Sequence, residues 1–501
     1  MTSAPIGPED EPEFDRQHLE NSRQLTWDRT SGAPRWSEAL DFLLDNLEAS
    51  EDRQRARRAA DKGRLRQTLG ALVVGLYTAH LRSPEQWSAY SRREEDYGPG
   101  RIYVPPSAST THVTASADFL VRAGLADHKR GSFNRRRNPF NADDGRGYRS
   151  RLRATSKLVG LLQDVHGLTP GSLGYADWAS LVRMKAKPAA PREPKRLVRY
   201  QPGPETARME DQLRELNALL SGFTILPPAG AEQATDEADA LEGEETASVA
   251  DRASVRLYRV FNNDRWDHGG RFYGGWWQGM SKEDRAGLTI DGEAVIELDY
   301  RALHSRLCYH LQGQPLAPDV DPYAVQGMAG PDGRNVVKRA FNQLLNIGPD
   351  GNPRAPQGAR KLLPKRRSYR WLVGEIEARH RPIRPWFRGG RGLELQHLDS
   401  EIAASVLGYF TAQGVCCLPV HDSFIVPRSK EAMLGQAMCM AYAATLGQRG
   451  VSNAYPLIAG WSGGEVEQRV MTAILSAPVR SSPFEGSSVG GGVGGGLLGV
   501  E

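Results

Sequence analysis

The chain has 501 residues, of which 39% are hydrophobic and 25% charged, and its formal net charge is +4. That length accommodates two to four domains with separate cores, and so small a net charge excludes a uniformly basic nucleic-acid coat. Cys308, Cys416, Cys417 and Cys439 follow neither a disulfide framework nor a metal-ligand spacing, and no signal peptide or apolar run of membrane length is present. The expectation is a cytoplasmic protein with no membrane partner.

Residues 1–35 are polar and aperiodic, which predicts a disordered N-terminus. A helical, nucleic-acid-binding domain is expected over 36–200. Its first helix is predicted over Arg64–Leu81, where Leu65, Leu69, Leu72, Leu76 and Leu81 recur on one face. A second helix over Val113–Ala123 ends at Gly124. The segment Lys129–Arg153 then carries Arg135, Arg136 and Arg137 with other basic residues and interleaved aromatics. Basic and aromatic side chains together suit phosphate contact and base stacking, and the order resembles the recognition helix and wing of a winged helix.

A connecting helix is predicted within 201–228, with Leu213, Leu216 and Leu220 in phase. No Lys or Arg occurs from Glu215 to Asp251, and acidic residues crowd 229–251, which reads as an exposed acidic linker. Residues 252–475 form the expected catalytic part, and the Gly-rich tail 476–501 is expected to be disordered.

Two stretches carry the chemistry. Ala294-Val295-Ile296 is an apolar run leading to Asp299, and Leu418-Pro419-Val420 leads likewise to His421-Asp422. A carboxylate at the end of a buried strand is costly unless it meets a cation or partner. Set side by side, Asp299 and Asp422 suit two Mg²⁺ ions about 4 Å apart, the arrangement for in-line displacement at phosphorus. Mn²⁺ is the natural substitute. Between them, Arg334, Lys338, Asn342 and Asn346 recur every four residues on one helix face, a surface suited to a triphosphate. Upstream, Asp267 and Arg271 flank two glycines, which would let the backbone approach a ligand.

These elements, in this order, resemble the catalytic domain of family A DNA polymerases and single-subunit phage-type RNA polymerases. Asp267-His268-Gly269-Gly270-Arg271 is similar to the primer-template motif, Asp299 to Arg306 to motif A, Arg334-x-x-x-Lys338 to motif B, and His421-Asp422 to motif C. Gln396 is similar to the residue that opens the helix before motif C. The resemblance implies an α+β fold: a palm of antiparallel sheet and helices, with small helical fingers and thumb. It implies a nucleotidyltransferase without proofreading, with nucleoside triphosphates and primer-template, preferably DNA, as partners. Asp299 and Asp422 would hold the metals. Lys338, Arg334, Asn342, Asn346 and His304 would meet the nucleotide. Asp267, Arg271, Arg306, Gln396, His421 and Arg135 to Arg137 would meet nucleic acid.

The motifs also depart from the family pattern. Asn342 and Asn346 stand where motif B has aromatic side chains, Ser423 where DNA polymerases have Glu, and His304 where Glu or Gly follows the motif A Asp. At the sugar, a ring the size of His304 disfavours a 2′ hydroxyl; alternatively it braces a motif B residue such as Asn346. Two other readings use the same residues: a single-subunit RNA polymerase or primase-polymerase, and a DNA-binding replication or regulatory protein with an inactive palm.

Overall fold

A computed structural model describes residues 22–97, 101–131, 149–187, 195, 197–228, 255–356, 358–452 and 454–462. The chain is mixed α+β with several antiparallel sheets and falls into two compact units. The first holds the described residues up to Leu181, with 255–256 and Gly274–Gly279; the second holds those from Val182 onward, apart from these inserts.

In the first unit, β1 (Ser22–Gln24), β2 (Arg29–Ser31), α1 (Trp36–Ala49), α2 (Ala59–Arg82), β3 (Trp87–Tyr90), α3 (Thr110–Arg122), β4 (Ala126–Lys129), β5 (Ser150–Ala154) and β6 (Leu173–Tyr175) follow in order. Strand order in the main sheet is β1-β3-β5-β4, and β2 pairs with β6. Residues 22–24 and 29–31 are thus paired strands, on β3 and β6, so order begins before residue 35. Leu40, Leu43, Leu44 and Leu47 of α1 and Leu65, Leu69, Leu72 and Leu76 of α2 supply the core. α3 starts where the Ser109 hydroxyl accepts from His112 N, a side-chain N-cap.

The second unit contains β7 (Val182–Lys185), β8 (Leu197–Val198), α4 (Pro204–Leu220), β9 (Ile225–Leu226), β10 (Tyr258–Asn262), β11 (Arg265–Tyr273), β12 (Thr289–Ile290), β13 (Glu293–Tyr300), α5 (Leu303–Leu311), α6 (Gly330–Asn346), α7 (Tyr369–Arg379), α8 (Gly392–Ala412), β14 (Leu418–Val420), β15 (Ser423–Pro427), α9 (Glu431–Gly447) and β16 (Ile458–Ala459). β7 runs parallel to β10. This pairing places the unit boundary at Val182 and not at residue 201. One sheet has the order β11-β10-β7-β8, and the other β14-β15-β13-β12-β9 with β16 also on β13.

Gly269 and Gly270 of β11 have φ of 76° and 89°, in the left-handed region that favours glycine. Their missing side chains serve packing within the protein. A Cβ on Gly270 would come within 2.8 Å of Ser400 Oγ on α8, and one on Gly269 within 2.5 Å of Asn262 Nδ2. The close approach that these glycines permit is to α8 and β10.

Candidate active site

β13 is the central strand of the site. It is antiparallel to β15, with Leu298 opposite Phe424 and Asp299 opposite Ser423, and its end pairs with β16 through Asp299 and Tyr300. Leu298 and Phe424 are fully buried, so the register is held by their faces. β14 and β15 are joined by the two-residue loop His421-Asp422. His421 takes the left-handed conformation, φ 56°, at the first loop position, where tight hairpins demand it. Tyr300 N donates to Asp422 O at 3.3 Å, so the ends of the two strands are stitched together.

Asp299 and Asp422 both line one cavity of about 630 Å³. With them are Arg271, Arg301, His304, Arg306, Asp319, Asp321, Tyr323, Arg334, Lys338 and Asn342. Burial, then the neighbouring Asp422, pushes the Asp299 carboxyl up to about 7, against the pull of Lys282 and Lys338. Two residues earlier on the same strand, Glu297 is held by Arg285 at 2.9 Å to each oxygen and by the Ser423 hydroxyl at 2.8 Å. The contrast is informative. Among the described residues Asp299 and Asp422 make no such side-chain hydrogen bond or ion pair, whereas the adjacent acid is fully partnered.

The α6 face delivers Arg334, Lys338 and Asn342 to the cavity, as the four-residue spacing predicts. Asn346 is not delivered. Its side-chain amide turns back to donate to Asn342 O at 2.8 Å, and it packs against Gly392. Arg334 forks onto Asp321, with Nε at 2.7 Å and NH2 at 3.0 Å from the two oxygens.

Arg271 lines the cavity, but its guanidinium is engaged by Asp399 on α8, with NH2 2.6 Å from Oδ2. The Asp399 side chain is fully buried and also takes His304 Nε2 at 2.7 Å. Burial alone would raise the Asp399 carboxyl; Arg271 and His304 outweigh it and hold it below the usual carboxylate range. His304 therefore braces α8 and not Asn346.

Arg306 is buried and spends its guanidinium on the carbonyls of Leu316 at 3.1 Å and of Pro318 and Val320 at 3.4 Å. Within the protein it organises that loop at the cavity wall. Asp267 pairs with Arg265 on the exposed part of β11, outside the cavity lining. Gln396 is buried on α8, and His421 lies against Tyr273 with ring centroids 6.2 Å apart; neither lines the cavity. Arg135, Arg136 and Arg137 fall outside the described residues. In the flanking strands, Arg151 is buried and Arg153 is paired with Asp127 and Glu85, so these two are used within the protein.

Sequence reasoning missed Asp319, Asp321 and Tyr323, and the Asp399 partner of Arg271. The signal for the last was the acid Asp399, two residues before Glu401 in the helical stretch HLDSEIAASVL, where burial against apolar neighbours calls for a cation.

Two carboxylates with free oxygen lone pairs are hard donors of the kind Mg²⁺ and Mn²⁺ prefer. No group of three or more His, Cys, Asp or Glu that could hold a metal gathers among the described residues. No helix among them is long and apolar enough to cross a membrane. No known protein family, characterised protein or solved structure is significantly similar to the chain.

Proposed function

We propose that the second unit is a polymerase-like palm and that the chain is a template-directed nucleotidyltransferase, a DNA polymerase by preference, extending nucleic acid with nucleoside triphosphates. The observation that carries this reading is the partnerless pair Asp299 and Asp422 on one cavity with the cationic α6 face. A stable fold gains nothing from two adjacent carboxylates without partners, and the neighbouring acids Glu297 and Asp399 each have an arginine. Asp299 and Asp422 would hold Mg²⁺. The bound metal would neutralise negative charge on the phosphoryl oxygens and ease deprotonation of the attacking hydroxyl.

The remaining roles belong to the chain itself. Lys338 makes no hydrogen bond or ion pair among the described residues and is the cation most available to a phosphate. Arg301 and Arg334 add charge at the same wall. His304, fixed by Asp399, presents a rigid ring to the cavity and crowds a ribose 2′ oxygen. In the first unit, the order of α3, the β4–β5 hairpin and the β3-β5-β4 sheet supports a winged-helix-like, DNA-facing role.

The test is primer extension by the full chain with dNTPs and rNTPs on DNA and RNA templates, with and without Mg²⁺. Mg²⁺-dependent extension that Asp299→Asn abolishes supports the reading. Template binding with no extension on any template favours the inactive-palm alternative.

A further inference from the structure

The Arg334–Asp321 pair is built unlike the other ion pairs of the cavity. The Arg271 and Asp399 side chains are 13% and 0% exposed, those of Arg334 and Asp321 49% and 36%. Both Arg334 and Asp321 line the cavity beside Lys338. The two Arg334 nitrogens meet the two Asp321 oxygens in the fork geometry that arginine also uses for a phosphate. Arg334 also lies over the Tyr323 ring, 5.1 Å from its centroid, which limits where the guanidinium can swing.

Asp321 is held in place independently of Arg334. Tyr323 N donates to its Oδ1 at 3.1 Å, and Arg379 NH2 to its backbone carbonyl at 3.3 Å. His380 Nε2 donates to Pro322 O at 2.9 Å, and buried Arg306 secures the carbonyls of Leu316, Pro318 and Val320 just upstream. The carboxylate is thus a fixed point and Arg334 the movable partner, on an exposed helix face.

We propose that Asp321 is a built-in competitor for the Arg334 guanidinium, occupying the position of a ligand phosphate until a polyphosphate chain displaces it. The inference rests on reading the cavity as a triphosphate site, and it adds a residue that weakens binding of that ligand. A singly charged anion gains one contact and loses the Asp321 fork. A polyphosphate also gains Lys338 and so can afford the exchange.

The test is equilibrium binding of inorganic tripolyphosphate, without divalent cations, to the full chain and its variants. Asp321→Asn keeps the acceptor for Tyr323 N–H and removes the charge. Exchanging a partly exposed charged fork for a neutral contact should tighten binding about threefold to tenfold. The gain should vanish when Arg334→Ala is added, and Asp319→Asn, which removes a charge from the same cavity without touching Arg334, should give less. Equal affinity for wild type and Asp321→Asn, a gain that survives Arg334→Ala, or an equal gain from Asp319→Asn each overturns the proposal. Thermal melts of every variant confirm that the fold is intact. Primer extension by the wild type separates the two questions. Extension with no Asp321→Asn gain removes the competitor and leaves the polymerase reading. The gain without extension leaves a polyphosphate site and removes polymerisation.

Discussion

His304 Nε2 lies 2.7 Å from Asp399 Oδ2, the same oxygen that Arg271 NH2 reaches at 2.6 Å. One buried carboxylate therefore fixes a side chain of β11 and a side chain of α5 at the cavity. Asp399→Ala leaves the Arg271 charge without its counterion and should cost about 3–5 kcal/mol. Pairing Asp399→Leu with Arg271→Met should restore much of that stability, and denaturant unfolding of the single and double variants measures both. Full stability in Asp399→Ala would mean that the pair is not the anchor.

His304→Gly opens the cavity where the sugar of a nucleotide is expected. Relief of steric overlap is worth about 1–3 kcal/mol in a packed site, or roughly 5- to 150-fold in selectivity. The ratio of kcat/KM for rNTP over dNTP should rise in the variant. A wild type that already prefers rNTPs, or a variant that loses both activities with the ratio unchanged, removes the steric role and leaves only the brace to Asp399.

Asp299→Asn and Asp422→Asn should each abolish extension while template affinity stays near wild type. Carboxylates that hold a catalytic metal act on the transition state more than on ground-state binding. Single-turnover extension alongside a template-binding titration distinguishes the two effects, and near-normal turnover in either variant ends the assignment.

The Asp299 carboxyl also makes stability depend on pH. Burial and Asp422 push it up to about 7, whereas an unfolded Asp titrates near about 3.9. Between about pH 4 and 7 the folded chain keeps a proton that the unfolded chain has lost, so stability falls as pH rises through that window. The metal-free protein should lose roughly 2–4 kcal/mol from this group across it. Asp299→Asn should flatten the profile. Mg²⁺, held by the ionised pair on the proposed reading, should raise stability most at the upper end. Melting curves against pH for both proteins, with and without Mg²⁺, check the sign; identical slopes would contradict it.

Arg306→Met withdraws the donors from the carbonyls of Leu316, Pro318 and Val320. Residues 315–320, just upstream of the anchored Asp321, should lose hydrogen-exchange protection first, with a stability loss of about 1–3 kcal/mol. Uniform exchange across the second unit, with no selective change in that loop, would show that the loop holds itself.

Local pattern made several elements legible. The helix read over Val113–Ala123 is Thr110–Arg122, and the four-residue spacing that begins at Arg334 does turn Arg334, Lys338 and Asn342 to one cavity. α1 was legible too, since Trp36, Leu40, Leu43, Leu44 and Leu47 keep helical spacing, yet its residues were read only as part of a helical domain. What stayed hidden is long-range. Arg271 and Asp399 are 128 residues apart in sequence, and neither position announces the other. Spacing alone could not separate Asn342 from Asn346, because the turn of Asn346 toward its own helix depends on Gly392 of another element. The glycines before Arg271 were read as room for a ligand because sequence shows that a side chain is missing, not what fills the space.

β13 is bonded along one edge to β15 and at its end to β16, so Asp299 can shift only by opening two ladders at once. The α6 face that also lines the cavity carries Arg334 and Lys338 on exposed positions of the helix. The cavity is thus a vice with one fixed jaw and one adjustable jaw. On the proposed reading, ligands of different length would be accommodated on the Arg334–Lys338 side. Substitutions that relax specificity should therefore accumulate on α6 and the loop before it, while the carboxylate side tolerates almost none.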